Sequence, residues 1–460
     1  MSPRPVQLAD GRSLVPDNRW DLVGDPVGTP SISVVIPYYQ QPHQLSLVLE
    51  ALTAQTYPSM KMDVVVADDG SAEPPPVDRW TSRLDISVVR QDDEGFRAAA
   101  ARNLGADASR GSILCFLDAD TVPGPDYVRQ AVRLPAAIPD AVVVGRRKHA
   151  NLAAVEHGSL ASWMDDASVR ADSIDGEPQW LVDGYERTEN LLRPGWDGYK
   201  YILSAVLTCS RELFYAVGGF DRSFVRYGGE DWEFANRAFM MGAVFVHEPA
   251  ALAWHDGPDW AERDVADRTS QKNAEALALA PLITDPSART SGLHYRIPDT
   301  VVLMSTLGQT PASLSVTVAS VLHGSDCAVW LVGDDAPALR AASGIWDCRV
   351  RTGFPDREIL ARCRFVVEVS GRVLFSDESL ALLAAELGPG RAGELAVDFD
   401  RSDTASLVMS ASRAVHRSRR WFARTGMTER DLRRALFGVR RVSCSEAALT
   451  VATSEPWLSW

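Results

Sequence analysis

The sequence predicts an α/β protein whose first half is built on a largely parallel sheet. Two observations carry this. From residue 31 onward, short apolar runs alternate with segments of helical period, and strands that alternate with helices pair in parallel, covered on both faces. The polar punctuation falls at the carboxyl ends of those runs, where such sheets bind ligands. The 460 residues, 46% apolar and 23% charged, fit a globular chain of about two to three domains.

The elements follow in order. Residues 1–30 are rich in proline and polar groups, lack a clear period, and are expected to lie on the surface as an extension. SISVVIP (31–37) is a strand stopped by proline. HQLSLVLEALTAQ (43–55) repeats Leu45, Val48, Leu49 and Leu52 along one helical face. MDVVVADDGS (62–71) and DISVVRQ (85–91) are strands, and FRAAAARNLGADAS (96–109) is a helix closed by Arg110-Gly111. SILCFLDAD is a fourth strand, ending on Asp118 and Asp120. Further on, YILSAVLTCSRELFYAVGGFD (201–221) gives a strand and a short helix, and GGEDWEFANRAFMMGA (228–243) gives a helix lined by Phe234, Ala238 and Met241. AVFVHEPAALAWHDG (243–257) adds one or two strands, and the polar stretch 256–274 reads as a loop. Proline and small polar residues at 285–300 mark a boundary, so the expected domains are 31–285 and 295–460.

Several functions are disfavoured by composition. A net charge of −14 and a pI near 5.1 lack the basic stripe that nucleic acid requires. No run reaches the roughly eighteen apolar residues of a membrane span. The N-terminus has no apolar signal core and reads as cytoplasmic. The six scattered cysteines form no CxxC pair and read as free, mostly buried thiols.

Three strand ends bring acids and aromatics to one edge: Pro37-Tyr38-Tyr39-Gln40, Asp68-Asp69-Gly70 and Asp118-Ala119-Asp120. Any one of them is compatible with a plain turn; three together point to a site. Two carboxylates at a strand end suit Mg2+ or Mn2+, which takes only one or two protein carboxylates and leaves other positions to phosphate oxygens. His255, in LAWHDG, is either a core histidine or a third ligand, with His247 as its competitor. Glu230 and Asp231 stand at a first helical turn, which favours acids through the helix dipole. A carboxylate there is equally able to take a proton from an attacking hydroxyl.

The motifs VVIPYYQ, VVVADDGS, GFRAAAARNLGA, FLDADTVP, VGGFDRSF and YGGEDWEFANR, in this order, resemble the family 2 glycosyltransferases of the GT-A fold over residues 31–275. GGEDWEF is also similar to the motif of chondroitin-polymerising enzymes and β-1,4-galactosyltransferases. The resemblance implies a GT-A domain and a metal-dependent, inverting transfer from a nucleotide-sugar donor. By residue, it implies that Asp69, with Asp68 beside it, accepts from the base N3–H of uracil or thymine. Pro37 and Tyr39 line the base pocket, and Arg97 or Arg102 faces the diphosphate or braces the loop. Asp118 faces the ribose, Asp120 the metal, and His255 completes the metal shell. Asp231 is the general base and Glu230 holds the acceptor. Trp180, Trp196, Tyr199 and Trp232 fall where such enzymes seat the acceptor, although each is equally compatible with the core. Segment 256–274, with Asp256, Asp259 and Lys272, is expected to order over bound donor. Gln40 departs from the asparagine usual in the family. The acceptor, whether sugar, peptide or small molecule, is left open, as is the donor sugar.

The C-terminal part echoes the first. Residues 300–338 repeat the strand, helix and Asp-Asp ending of 32–74, and 362–387 repeat 110–134 with Ser370-Gly371-Arg372 in place of Asp118-Ala119-Asp120. A second, non-catalytic GT-A-like domain is expected, serving dimerisation or acceptor binding; two ordinary βαβ patterns would read the same way. The arginine-rich run 413–441 is expected to be a solvated or partner-facing helix. Two alternatives stand beside the transferase. A sugar nucleotidyltransferase would want a glycine-rich basic loop after strand one, which IPYYQQPHQ lacks. A non-catalytic nucleotide-sugar binding protein would not need Asp118, Asp120 and Asp231 together.

Overall fold

The computed structural model describes residues 4–26, 28–165, 174–226, 228–257, 265–290, 292–399 and 404–459. The chain divides into two compact units, one chiefly Pro5–Phe239 with Ala243–Ala278, the other chiefly the residues from Leu279 on. The division precedes the proline-rich stretch 285–300. Its physical cause is that Thr284 donates to the Arg362 carbonyl (3.0 Å) and Asp299 pairs with Arg364 (2.6 Å), which ties residues after 279 to the second unit.

In the first unit the described residues form β1 Ile32–Tyr38, α1 Pro42–Thr53, β2 Met62–Asp68, β3 Asp85–Arg90, α2 Ala98–Ala108, β4 Ile113–Leu117, β5 Thr121–Pro123, α3 Tyr127–Ala137, β6 Ala141–Ala150, β7 Ile174–Gly176, β8 Val206–Ser210, α4 Arg211–Val217, α5 Glu230–Met240, β9 Val244–Asp256 and α6 Val265–Leu279. The sheet order is β3-β2-β1-β4-β8-β6-β9-β5, with β7 on β6. Strands β3, β2, β1 and β4 are parallel. β8 runs antiparallel to both β4 and β6, and β9 is parallel to β6. The four apolar positions of α1 face the sheet and are buried, as the helical period requires.

The second unit contains β10 Thr300–Ser305, α7 Pro311–Leu322, β11 Cys327–Val332, β12 Val350–Thr352, α8 Arg357–Arg362, β13 Phe365–Ser370, β14 Val373–Phe375, α9 Ser379–Ala385, β15 Glu394–Asp398, β16 Ser406–Ala411, α10 Ser412–Trp421, α11 Glu429–Phe437, β17 Val439–Ser443 and β18 Leu449–Val451. Its main sheet runs β12-β11-β10-β13-β16-β15-β17. This is the order β3-β2-β1-β4-β8-β6-β9 of the first unit, strand for strand. Directions agree too: four parallel strands, an antiparallel β16, then β15 and β17 parallel to each other. β9 shifts register between Glu248 and Leu252, and at the corresponding place the second unit breaks into β17 and β18. The match reaches single hydrogen bonds. Asp256 N donates to Asp120 O at 2.8 Å, and Ala452 N donates to Arg372 O at 2.9 Å. Coincidence between two βαβ patterns does not produce this agreement; the second unit repeats the first.

Three expectations change. The N-terminal residues do not merely lie on the surface: Val15 is fully buried beside Leu134, Ile138 and Val244. Asn18 there exchanges hydrogen bonds with Leu191 O (2.6 Å), Phe245 O (2.9 Å) and Phe245 N (2.8 Å). The polar stretch 256–274 is not all loop, because α6 starts at Val265 and is sustained by helix-forming Gln, Lys, Ala, Glu and Leu; residues 258–264, Asp259 included, lie outside the described ones. Arg413 and Arg417 of the basic run are buried rather than solvated, their guanidinium groups lying 5.5 and 5.9 Å from the Phe437 ring centre. The cysteines are, as expected, free and mostly buried; Cys348 is the exposed one. Among the described residues no helix is long and apolar enough to cross a membrane.

Candidate active site

The carboxyl edge of the first sheet gathers the predicted residues. At the end of β2, Asp68 is fully buried. One oxygen accepts from Ser71 N (2.9 Å) and the other from Arg90 (2.9 Å), so this acid holds the turn. Asp69, next along, accepts from Gln91 Nε2 at 2.5 Å and from Arg97 N at 2.9 Å. Burial raises its pKa, partly offset by these two donors. Pro37 is half-buried at the end of β1. Tyr39 is 45% exposed, its hydroxyl 3.3 Å from Asp93. Gln40 has φ +49°, a backbone region asparagine enters more readily. The Arg97 side chain pairs with Glu94.

Arg102 organises the middle of the edge. It is buried on α2 and donates to Asp118 Oδ1 at 2.8 Å and to Glu230 Oε1 at 3.0 Å. Burial opposes its charge, but the two carboxylates outweigh burial and raise its pKa. One guanidinium thus ties the end of β4 to the start of α5. The brace reading of Arg102 fits this geometry: both terminal nitrogens are engaged, while its buried Nε has no partner among the described residues. Glu230 is buried, and its second oxygen, Oε2, has no partner among the described residues.

Asp120 Oδ2 lies 3.6 Å from His255 Nε2. The strands place them: Thr121, next to Asp120, pairs with His255 across β5 and β9. Burial, then the nearby charge of Asp118, push the Asp120 pKa up, while Arg147 lowers it. Such a carboxyl gains from a cation. No cluster of three potential metal ligands stands close enough to enclose an ion among the described residues. An oxygen and an imidazole side by side nevertheless suit Mg2+ or Mn2+ that takes its remaining ligands from phosphate and water. His247 is the other histidine; it stacks on Tyr185 at 3.6 Å and is held by Asn190 at 2.8 Å, which removes it from this edge.

Asp231 opens α5. Burial and then Glu230 raise its pKa, Arg102 lowers it, and Glu275 adds to the rise. The turn before it needs its glycines. Gly228 and Gly229 have φ +92° and +93°, and a Cβ would press on Glu275 at 3.2 Å from Gly228 and on Phe224 at 3.0 Å from Gly229. Glu275 is the residue the sequence did not single out. It lies on α6, three residues after Lys272, with which it pairs at 2.7 Å. The Lys272 ammonium in turn lies 5.3 Å from the Trp232 ring centre. Tyr199 and Trp232 meet edge to face at 6.3 Å, and Trp180, 47% exposed, lies 6.2 Å from Tyr201. Trp196 instead packs on Phe239 at 6.2 Å. A cavity of about 550 Å3 opens elsewhere, beside Pro30, Tyr57, Pro58 and Arg129 at the amino ends of β1 and β2.

Residues 33–167 match the family model "Glycosyl transferase family 2", and residues 196–248 match one described as the N-terminal domain of galactosyltransferase. The resemblance carried by the six motifs therefore holds. A hyaluronan synthase of Pasteurella multocida is 30% identical over 260 residues, covering 53% of this chain and 26% of the relative. A chondroitin synthase of Escherichia coli is 29% identical, covering 54% of this chain and 38% of the relative. A validoxylamine A glucosyltransferase of Streptomyces hygroscopicus subsp. limoneus is 30% identical, covering 54% and 55%. The chain thus spans well under half the length of the two synthases it matches. The mannosyltransferase PcManGT from Pyrobaculum calidifontis aligns at TM-score 0.41 and 22% identity over 57% of this chain and 67% of its own, too loose a likeness to speak for ligands.

Proposed function

We propose that the first unit is an inverting glycosyltransferase that moves a sugar from a UDP- or dTDP-sugar to an acceptor hydroxyl. One observation carries the reading. The base-facing Asp69, the Asp120–His255 pair and Asp231 lie along one sheet edge, and Arg102 locks the strand bearing the pair to the helix bearing Asp231.

The chain's own residues have distinct tasks in this reading. Asp69 accepts from the N3–H of a uracil or thymine, while Tyr39 and Pro37 flank the ring. Asp118, fixed by Arg102, faces the ribose. Asp120 and His255 would hold a divalent cation, which would supply positive charge for the departing diphosphate. Asp231 removes the proton from the acceptor hydroxyl as its oxygen bonds to the anomeric carbon and the carbon–oxygen bond to diphosphate breaks. A single displacement inverts the anomeric centre. The unpartnered Glu230 Oε2 accepts from a second acceptor hydroxyl, and Trp232 and Tyr199 offer the acceptor an apolar ring face. The matched relatives bear names that span polysaccharides and a small natural product, consistent with a hydroxyl acceptor of either size.

Thermal melting against UDP-, dTDP- and GDP-sugars, with and without Mn2+, tests this. Saturation at a hundredfold above Kd adds about 2.7 kcal/mol to the native state. The expected result is a rise in Tm with a UDP- or dTDP-sugar that grows with Mn2+. No rise with any nucleotide sugar overturns the reading.

A further inference from the structure

We propose that the carboxyl edge of the second unit is an anion site that takes a phosphate-bearing ligand without a metal, and that Glu455 occupies it. The register between the two units identifies the position. Arg372 stands where Asp120 stands, fixed by the matching hydrogen bonds from Ala452 and Asp256. Val451 pairs with Val373 as His255 pairs with Thr121. The metal carboxylate has become a guanidinium and the imidazole an alkyl group. In the first unit this point attracts a cation; in the second it attracts an anion directly.

An anion is already there. The Glu455 carboxylate lies 2.8 Å from Arg372 Nη2, and the Thr310 hydroxyl donates to its other oxygen. Thr310 is the N-cap of α7, a helix of twelve residues with proline at its start. Proline at the first position has no N–H and Ser313 N already donates to Thr310, so what this helix end offers an anion is its dipole and the Thr310 hydroxyl. Three separate elements, the turn after β13, the cap of α7 and the segment after β18, therefore converge on one carboxylate. A guanidinium fork and a hydroxyl at a helix N-terminus match phosphate oxygens equally well.

The resident anion is lightly held. Residues 452–459 contain no helix or strand, and Trp457 and Leu458 are 85% and 53% exposed. The segment follows β18 in the matching place of the repeat, as Gly257 follows β9. A ligand that outcompetes one carboxylate displaces it without opening a core.

Binding of inorganic pyrophosphate to the full chain in EDTA, followed by calorimetry, tests this. Glu455→Gln is expected to tighten binding at least tenfold over wild type. Arg372→Met added to Glu455→Gln is expected to abolish the gain. Glu455→Ala provides a second form of the same release, and melting curves verify that each variant is folded. The first unit contributes equally to every protein and cancels in the difference, so the outcome is independent of the glycosyltransferase reading. No gain on removing the Glu455 charge, or a gain that survives loss of Arg372, overturns the proposal and leaves Glu455–Arg372 as a structural ion pair only.

Discussion

The two units share a sheet and differ at its edge. Strand order, strand direction and a backbone hydrogen bond beside the decisive position coincide, yet Asp118, Asp120 and His255 in the first unit face Ser370, Arg372 and Val451 in the second. The apolar alternation that builds the sheet survives in both, because burial of β-strand faces holds each unit together. The edge residues make little of that core and are free to change. Keeping the fold and keeping the acids of the edge are therefore separate requirements, and the second unit keeps the strand order without counterparts of Asp118, Asp120 and His255.

The comparison breaks most sharply at Asp231. Asp231→Asn is expected to reduce kcat by about 100- to 10,000-fold, the usual contribution of a positioned general base. Initial rates at saturating donor measure this; near-wild-type transfer removes Asp231 from the role. The same helix start in the second unit reads Glu429-Arg430, with no acid at the second position to take the proton.

Arg102 and Arg372 form the next contrast. Arg102→Met leaves Asp118 and buried Glu230 without their counter-charge and should cost about 3–5 kcal/mol, read by urea unfolding followed with a first-unit probe. Arg372→Met breaks a partly exposed pair and should cost no more than about 1 kcal/mol. Equal costs would show that the second edge is as tightly built as the first.

A smaller effect concerns pH. The Asp231 carboxyl titrates above its ordinary value, first through burial and then through Glu230. The folded state therefore holds its proton longer than the unfolded chain does. Stability falls as pH rises from about 4, the unfolded value, to the raised folded value. Asp231→Asn, which never ionises, should melt at a higher temperature than wild type at pH 8, and the difference should shrink towards pH 4. A difference that is constant with pH contradicts the burial of this charge. Transfer has the opposite trend, since the base works only when deprotonated, so kcat/KM should rise with pH through the raised pKa.

Much of the first edge was legible because strand ends announce themselves: an apolar run that stops on Asp-Ala-Asp or Asp-Asp-Gly places its acids without reference to the rest of the chain. The same local reading located the faded copy at 370–372. What was hidden depends on contacts distant in sequence. Nothing near Asp68 tells that Arg90, twenty-two residues on, holds one of its oxygens, or that Gln91 and the Arg97 N–H hold those of Asp69. Glu275 sits in a polar stretch whose helix is held by packing against the Gly228-Gly229 turn, a pairing forty-six residues apart that periodicity does not register. Arg413 and Arg417 read as solvated because charge usually is; their burial brings both against the Phe437 ring, a helix away. Val15 and Asn18 were unreadable for the opposite reason, since the paired strands Val6–Gln7 and Ser13–Leu14 are two residues each, too short to show a period even where the side chains that follow complete a core.

The most direct test of the difference between the units is the number of Mn2+ ions each chain binds in the presence of UDP, counted by titration with the free-Mn2+ electron paramagnetic resonance signal. The account predicts one ion per chain, lost in Asp120→Asn and retained in Arg372→Met. Two ions per chain, or one that survives Asp120→Asn, would contradict it.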